Sequence, residues 1–207
     1  MCALVGVAAI ATSGCASSAA RDAPAAPPSS PAAFSTAVNL RSGDLPGAEV
    51  GAPATIGRHP NAAFAACDGG VNPSLVVYEA RSVLLMTGHE SELLRSRVTT
   101  WPSERLARRN LTALAAKRGA RCELHYGGSS VARVTIELPG GARAVGLRAA
   151  VPGQRAPEVA YHDIVGFVSG PAEVVLTAAG FGRPVPAQTE RHLLGVLYRR
   201  ATEARGT

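Results

Sequence analysis

The feature that most restricts the fold of this chain is a series of segments in which side chains of different polarity alternate. Successive side chains of a β-strand point to opposite faces, so this alternation predicts strands with one face in a core. Three segments alternate in this way, two are more uniformly apolar, and one further strand precedes them. The predicted strands are 94–100, 134–138, 145–151, 164–168, 173–177 and 82–87.

Short turns connect two pairs of these strands. Pro139-Gly140-Gly141 separates one pair, and Ser169-Gly170-Pro171 separates the other. Proline and glycine favour tight turns, and strands joined by tight turns pair in antiparallel orientation. The pattern therefore predicts an antiparallel meander.

Two helices interrupt and follow the strands. The first is predicted over 104–118, after Pro102 and Ser103, because leucine and alanine recur on one face and Gly119 provides a stop. The second is predicted over 187–204, after Pro184 and Pro186. Gly195, in the middle of this helix, suggests close packing against a neighbour, because glycine there costs about 1 kcal/mol relative to alanine.

The order strands, helix, strands, helix defines the predicted fold class. We expect a single α+β domain in which an antiparallel β-sheet meander carries the two main helices packed on one face. About 170 residues, roughly one domain's worth, remain after the N-terminal segments described next.

The N-terminus has the pattern of an export signal. Residues 3–11 form an apolar run too short to span a bilayer, and Thr12-Ser13-Gly14-Cys15 follows. The pattern resembles a bacterial lipobox, which predicts a lipoprotein signal peptide over 1–14 and lipidation of Cys15. The alternative is ordinary secretion with cleavage near Ala19 or Ala20.

The next segment is rich in alanine, proline and serine. Residues 15–38 cannot bury enough apolar surface to offset their conformational entropy, which predicts a disordered spacer after the lipidated cysteine. The α+β domain is then expected over 39–205.

Two cysteines remain for the domain once Cys2 and Cys15 are assigned to the signal peptide and the anchor. Cys67 and Cys122 are expected to form a disulfide in an exported protein. In the chain-entropy model such a bond stabilises by about 4 kcal/mol. The alternatives are two free thiols or half of a metal site, although no CxxC or HxxxH spacing accompanies them.

Charge and composition argue against a nucleic-acid partner. The formal net charge is +6, and Lys117 is the only lysine, so the basic residues are almost all arginine. The arginines are scattered and aromatic residues make up 4%, too few for base-stacking surfaces. Arginine-rich, alanine-rich composition is also what a GC-rich genome encodes. A basic surface would favour anionic cell-wall polymers or lipid headgroups.

Motifs for catalysis, metals and cofactors are absent from the sequence. It contains no G-x-S-x-G elbow, no HExxH and no Walker sequence. Tyr161-His162-Asp163 is the densest polar group, and His162 with Asp163 could act as an acid/base pair, although a solvent-edge structural role is more common. We name no catalytic residue, metal or cofactor. Trp101, Tyr161 and His162 are the candidate ligand-binding residues, with a core role as the alternative for Trp101.

The sequence also resembles a known family. The segment 40–47, Leu-Arg-Ser-Gly-Asp-Leu-Pro-Gly, is similar to the Asp-Leu-Pro-Gly segment at the start of actinobacterial extracytoplasmic sensor-type domains. These domains occur on PknH-like serine/threonine kinases and in stand-alone lipoproteins. The strand and helix over 98–122, the hairpin 163–177 and the final helix follow the same plan. The resemblance implies an α+β sandwich with a ligand groove between sheet and helices, and no established catalytic residue.

Together these patterns predict a non-enzymatic lipoprotein at the outer face of the cell membrane. Its domain is expected to bind or sense a small hydrophobic or cell-wall ligand, and the membrane is its partner through the lipid. A secreted form is the alternative location. The alternative functions are a cell-envelope protein–protein interaction or structural module and an unrecognised hydrolase.

Overall fold

The protein is described from a computed structural model that covers residues 30–56, 71–88, 91–116, 130–152 and 159–206. The predicted signal peptide and most of the predicted spacer lie outside the described residues. So do all four cysteines, including the predicted lipidation site Cys15 and the predicted disulfide partners Cys67 and Cys122.

The described residues form one antiparallel sheet of nine strands. The strands are β1 (Glu49–Ala52), β2 (Thr55–Ile56), β3 (Tyr78–Arg81), β4 (Leu84–Thr87), β5 (Glu92–Thr100), β6 (Ser130–Glu137), β7 (Arg143–Pro152), β8 (Val159–Ser169) and β9 (Ala172–Phe181). The spatial order is β1-β4-β5-β9-β8-β7-β6, with β3 also on β5 and β2 on β3.

Three α-helices accompany the sheet within the described part of the chain. They are α1 (Pro31–Val38), α2 (Glu104–Leu114) and α3 (Ala187–Glu203). Short 3₁₀ turns occur at Ser42–Asp44, Pro73–Leu75 and Pro139–Gly141. The predicted α+β class, with an antiparallel sheet in a single domain, is confirmed.

Strands β3 and β4 lie end to end along β5. Between them, Ser82 donates its backbone N–H to the carbonyl of Ser96 at 2.8 Å, and its hydroxyl accepts the Ser96 N–H at 2.9 Å. The interruption at Ser82 and Val83 turns one long row into two short strands. It also explains why the predicted strand 82–87 begins at Leu84 in the structure.

The two main helices lie on opposite faces of the sheet, which corrects the expectation that both pack on one face. Val165 and Val174 belong to the same hydrophobic cluster as α3, whereas Ile164 and Val175 belong to the cluster of α2. Adjacent strand residues point to opposite faces. Because β8 and β9 are apolar on both faces, each face requires its own cover.

Helix α1 corrects the predicted spacer boundary. Pro31–Val38 were placed in the disordered spacer, yet they form a helix whose first turn is capped by the Ser30 hydroxyl. Proline is favoured at the first helical position, and Val38 is fully buried in the cluster that also holds α3. The ordered domain therefore includes residues from Ser30 onward.

Gly195 in α3 does not mark a close helix contact. A Cβ built at this position would meet nothing within 4 Å. The close approaches of glycine occur in the sheet instead, where a Cβ on Gly146 would overlap the carbonyl oxygen of Ile164. The predicted reason for Gly195 is therefore wrong.

Candidate functional site

Helix α2 covers only part of its face of the sheet. Leu111 and Leu114 pack on Leu147, Ile164 and Val175. Beyond them, toward β5 and β4, the same face continues without α2. Thr177 is exposed there, and Leu84 and Leu93 are only half-buried.

The part of this face that no described helix covers forms a concave site, which we call the arginine groove. Its volume is about 390 Å³. The lining residues are Arg81, Leu84, Leu93, Arg95, Ser96, Arg97, His162, Thr177 and Ala179. Small-molecule sites typically measure about 300–1,000 Å³ and combine apolar walls with a few convergent polar groups. The groove meets this description near the lower limit.

The strand register brings the three arginines together. Arg81 of β3 lies directly opposite Arg97 of β5, and Arg95 is two residues before Arg97 on the same face. Directly opposite residues in an antiparallel pair have Cβ atoms about 4.5–5.5 Å apart, and like charges in this arrangement repel. Some neighbouring group must therefore offset the repulsion.

Two buried carboxylates offset part of this charge. Glu79 accepts a hydrogen bond from Arg81 Nε at 3.3 Å and lies 3.3 Å from the Thr99 hydroxyl. Glu173, whose side chain is fully buried, lies 3.9 Å from Arg97. Both carboxylates are within the sheet and are fixed by neighbouring side chains.

Asn110 connects this polar row to helix α2. Its amide nitrogen donates to Glu173 Oε2 at 2.8 Å, and its amide oxygen accepts the Val71 N–H at 3.4 Å. The helix is thus joined to the sheet by a polar contact beside its apolar ones. The hydrogen bond from Asn110 holds the Glu173 carboxylate in position next to Arg97.

Arg95 differs from the other two arginines. Its Nε donates to the Ser82 carbonyl and its Nη2 to the Pro53 carbonyl, each at 3.0 Å. It forms no ion pair with a carboxylate among the described residues. Burial lowers the pKa of Arg95 below its ordinary value, and the charge of Arg81 lowers it further. Arg95 is therefore held in place by backbone carbonyls while its charge is not neutralised by a described side chain.

His162 contributes an imidazole to the same groove. Burial lowers the pKa of His162 below its usual value, although the charge of Asp163 opposes this effect. The neutral imidazole therefore predominates at pH 7, where it can both donate and accept hydrogen bonds. Of the three candidate ligand-binding residues, His162 is the one that lines the groove.

Trp101 and Tyr161 lie elsewhere. Trp101 is buried with Val71, Val76 and Ala107, so the alternative predicted for it, a core position, describes it better than ligand binding. Tyr161 neighbours His162 along β8 and therefore points to the opposite face. The structure does not bring the three predicted residues into one site.

The predicted acid/base pair of His162 and Asp163 is separated by the sheet for the same reason. Asp163 points toward α3, where it is 2% exposed and accepts two hydrogen bonds of 2.7 Å from Arg148. Glu190 of α3, 1% exposed, lies 3.3 Å from the same guanidinium. Burial, and next the nearby Asp163, raise the pKa of Glu190 to about 8. This cluster joins α3 to the sheet.

A second concavity of about 650 Å³ runs along the outer side of α3. It lies between the helix and the turn at Pro139, and Gly195 and Tyr198 contribute to its wall. Its charged side chains, such as Arg191 and Arg199, are exposed rather than fixed by the sheet. We therefore regard the arginine groove as the better candidate site, because its polar groups are held in place before a ligand arrives.

Two further observations limit the chemistry of the described residues. No group of three or more His, Cys, Asp or Glu side chains among them could hold a metal ion. No helix within the described ranges is long and apolar enough to cross a bilayer.

The groove arginines were missed from the sequence. Arg95 and Arg97 alternate with Leu94, Ser96 and Val98, and such a pattern normally indicates a solvated strand face. Arg81 lies in a strand that was not predicted. The available signal was that the polar face of the predicted strand 94–100 carries two arginines rather than a mixture of polar residues.

Taken together, the fold and the groove define an α+β domain with a cationic, apolar-walled concavity on one sheet face. Neither a protein-family model nor a curated protein matches the sequence. Among solved structures, the extracellular domain of PknH from Mycobacterium tuberculosis is similar, with 11% sequence identity and a TM-score of 0.49. The similarity covers 81% of this chain and 95% of that chain. This structural similarity is weak, and no family model supports the resemblance inferred from sequence.

Proposed function

We propose that this protein is an exported, lipid-anchored binding protein whose arginine groove holds a small-molecule ligand without chemical turnover. The observation that carries the proposal is the groove itself. It combines three arginines and an imidazole with the side chains of Leu84 and Leu93 in one concave space. Convergent polar groups on apolar walls are the usual composition of a ligand site.

The proposed absence of catalysis rests on the placement of the titratable groups. Asp163 and Glu190 converge, but they are 2% and 1% exposed, so a substrate could not reach them without opening the α3 interface. His162 lies on the other face of the sheet and has no carboxylate beside it in the groove among the described residues. These groups support an unrecognised hydrolase less well than a binding protein.

The ligand can be sought by native mass spectrometry of protein extracted from its own cells. We expect a bound small molecule in the wild-type protein and its loss from Thr177→Trp, because Thr177 is exposed in the groove and an indole there would fill it. The matched control is Thr135→Trp, an exposed threonine on β6 outside the groove. Equal binding by both variants, or no bound molecule in the wild type, would refute the proposal.

The proposed anchor rests on the lipobox-like residues 12–15. A clickable fatty acid supplied to the native host should label the wild-type protein and the variant Cys2→Ser but not Cys15→Ser. The last variant should also leave the membrane fraction, since the acyl chain supplies the hydrophobic attachment. Labelling that survives Cys15→Ser would favour ordinary secretion and another modification site.

A cell-envelope interaction module is the second candidate function. The observation that favours it is the 650 Å³ groove along α3, whose surface is mostly apolar. Cross-linking in intact cells from a photoreactive residue at Gly195 would capture a protein partner under this alternative. Under the leading proposal, the same photoreactive residue should capture no specific protein.

A further inference from the structure

The charge of the arginine groove restricts its ligand further. Arg81 and Arg97 each lie beside a described carboxylate, Glu79 and Glu173 respectively. Arg95 lines the same groove and pairs with no described carboxylate. A neutral or cationic ligand would leave the charge of Arg95 in place, whereas a monoanion would offset it.

Arg95 also has N–H groups that the described residues do not use. A guanidinium has five N–H groups in a planar fork. Arg95 donates one from Nε and one from Nη2 to backbone carbonyls. The other three have no acceptor among the described residues, and Arg95 lines the groove. A carboxylate or phosphate can accept two such N–H groups side by side.

The position of Arg95 is fixed before any ligand binds. Its two backbone acceptors, Ser82 and Pro53, belong to the breaks between β3 and β4 and between β1 and β2. The break at Ser82 lies beside Ser96 of β5, and the break at Pro53 lies between β1 and β2, which pair with β4 and β3. A side chain held in this way loses little conformational freedom on binding, so more of the interaction energy contributes to affinity.

The other walls require an apolar part in the ligand. Leu84 and Leu93 are half-buried and Ala179 continues the surface between β5 and β8. Their partners on the opposite face, Leu85 and Leu94, are fully buried by the core. Each CH₂ group that a ligand buries against such a wall contributes about 0.8 kcal/mol.

We propose that the ligand of the arginine groove is a small amphiphilic anion, a carboxylate or phosphate attached to an apolar body, and that Arg95 binds its anionic group. This inference rests on the proposed function, because it names the ligand class of that site. The volume of about 390 Å³ suits a small molecule or the end of a longer one.

Isothermal titration calorimetry with octanoate, octyl phosphate and octanol tests this inference on the full chain. We expect at least one of the two anions to bind about ten-fold more tightly than octanol, because hydrogen bonds to charged groups contribute more than neutral ones. Comparison of octanoate with octyl phosphate then identifies the preferred anionic group. Octanol binding as tightly as both anions would overturn the inference without any variant.

Substitution of Arg95 is the second test of this inference. Arg95→Gln should weaken binding of the preferred anion about ten-fold or more, and Arg95→Lys should weaken it less because the charge remains. Arg81→Gln should have a smaller effect, since Arg81 already pairs with Glu79. The matched control is Arg143→Gln, an exposed arginine at the start of β7. Unchanged affinity in a folded Arg95→Gln protein would refute the role of Arg95.

The two proposals fail in different ways. A neutral molecule that co-purifies with the wild type and is lost from Thr177→Trp would retain the binding function and overturn the anionic class. No bound molecule in native mass spectrometry, together with no heat from any of the three probes, would overturn both.

Discussion

Arg148 of β7 donates two parallel hydrogen bonds of 2.7 Å to the carboxylate of Asp163 on β8, directly across the strand pair. The same guanidinium reaches Glu190 of α3 at 3.3 Å. Asp163 and its hydrogen bonds raise the pKa of Arg148, although burial opposes this effect. This cluster fixes the start of α3 on the face opposite the arginine groove.

Removing the Asp163 charge should destabilise the domain substantially. Breaking a buried ion pair costs about 3–5 kcal/mol, and we expect about 2–4 kcal/mol for Asp163→Asn because the Arg148 side chain is 35% exposed. Denaturant unfolding monitored by circular dichroism measures the change. The control Glu104→Gln removes the exposed pair with Arg108 and should cost about 0.3–0.5 kcal/mol. Equal effects of the two substitutions would contradict the structural role of Asp163.

Glu190 should make stability fall as pH rises. Its pKa is raised to about 8 in the folded protein from the ordinary value of 4.5, so the folded state holds a proton that the unfolded state releases. This contribution is fully present below about pH 4.5 and is lost progressively up to about pH 8, by at most about 1.4 kcal/mol per pH unit. The groups that face Glu190 are Asp163 and Arg148.

The variant Glu190→Gln isolates this effect. The amide is neutral at every pH, so the variant should match the wild type at about pH 4 and exceed its stability by a few kcal/mol at about pH 8. Unfolding free energies measured at both pH values give the comparison. A variant with the same pH slope as the wild type would assign the slope to another group.

Two glycine substitutions should act in opposite directions. Gly146→Ala should destabilise by about 1–3 kcal/mol, because its Cβ would overlap the Ile164 carbonyl of the paired strand. Gly195→Ala should stabilise by about 0.5–1 kcal/mol, because the position is helical and a Cβ there meets nothing within 4 Å. Thermal unfolding of both variants beside the wild type is sufficient. A destabilised Gly195→Ala protein would indicate that something packs on this side of α3.

The predicted disulfide between Cys67 and Cys122 lies outside the described residues and stays a prediction. Peptide mapping without reduction should recover the two cysteines in one linked peptide. Cys67→Ser and Cys122→Ser should each lower stability by about 4 kcal/mol in the chain-entropy model, and the double variant should be no less stable than either. Additive losses would instead indicate two independent thiols.

Strand alternation made the central part of the sheet predictable. The segments 94–100, 145–151 and 173–177 all lie in observed strands, because burial of one or both faces leaves a period-two pattern in the sequence itself. Strands β1, β2 and β3 were missed, since each is four residues or fewer and is bordered by turns. Such short segments carry too few residues for a pattern to emerge.

The candidate site was less predictable than the sheet. His162 was identified by its polar neighbours, but those neighbours, Tyr161 and Asp163, point to the other face. Arg81, Arg95 and Arg97 form a site only because β3 pairs with β5 in one register. A one-residue shift in the pairing register of β5 would place both of its arginines on the other face of the sheet.

The sequence by itself determined the local elements: which segments form strands, which form helices, and that the chain turns at Pro139 and at Gly170. Those outcomes depend on backbone preferences and on the periodicity of neighbouring side chains. Only the tertiary structure decided that α2 and α3 cover opposite faces, that Arg148 meets Asp163 and Glu190, and that three arginines share one groove. These relationships join residues far apart in the chain, so strand register and packing, rather than local pattern, set them.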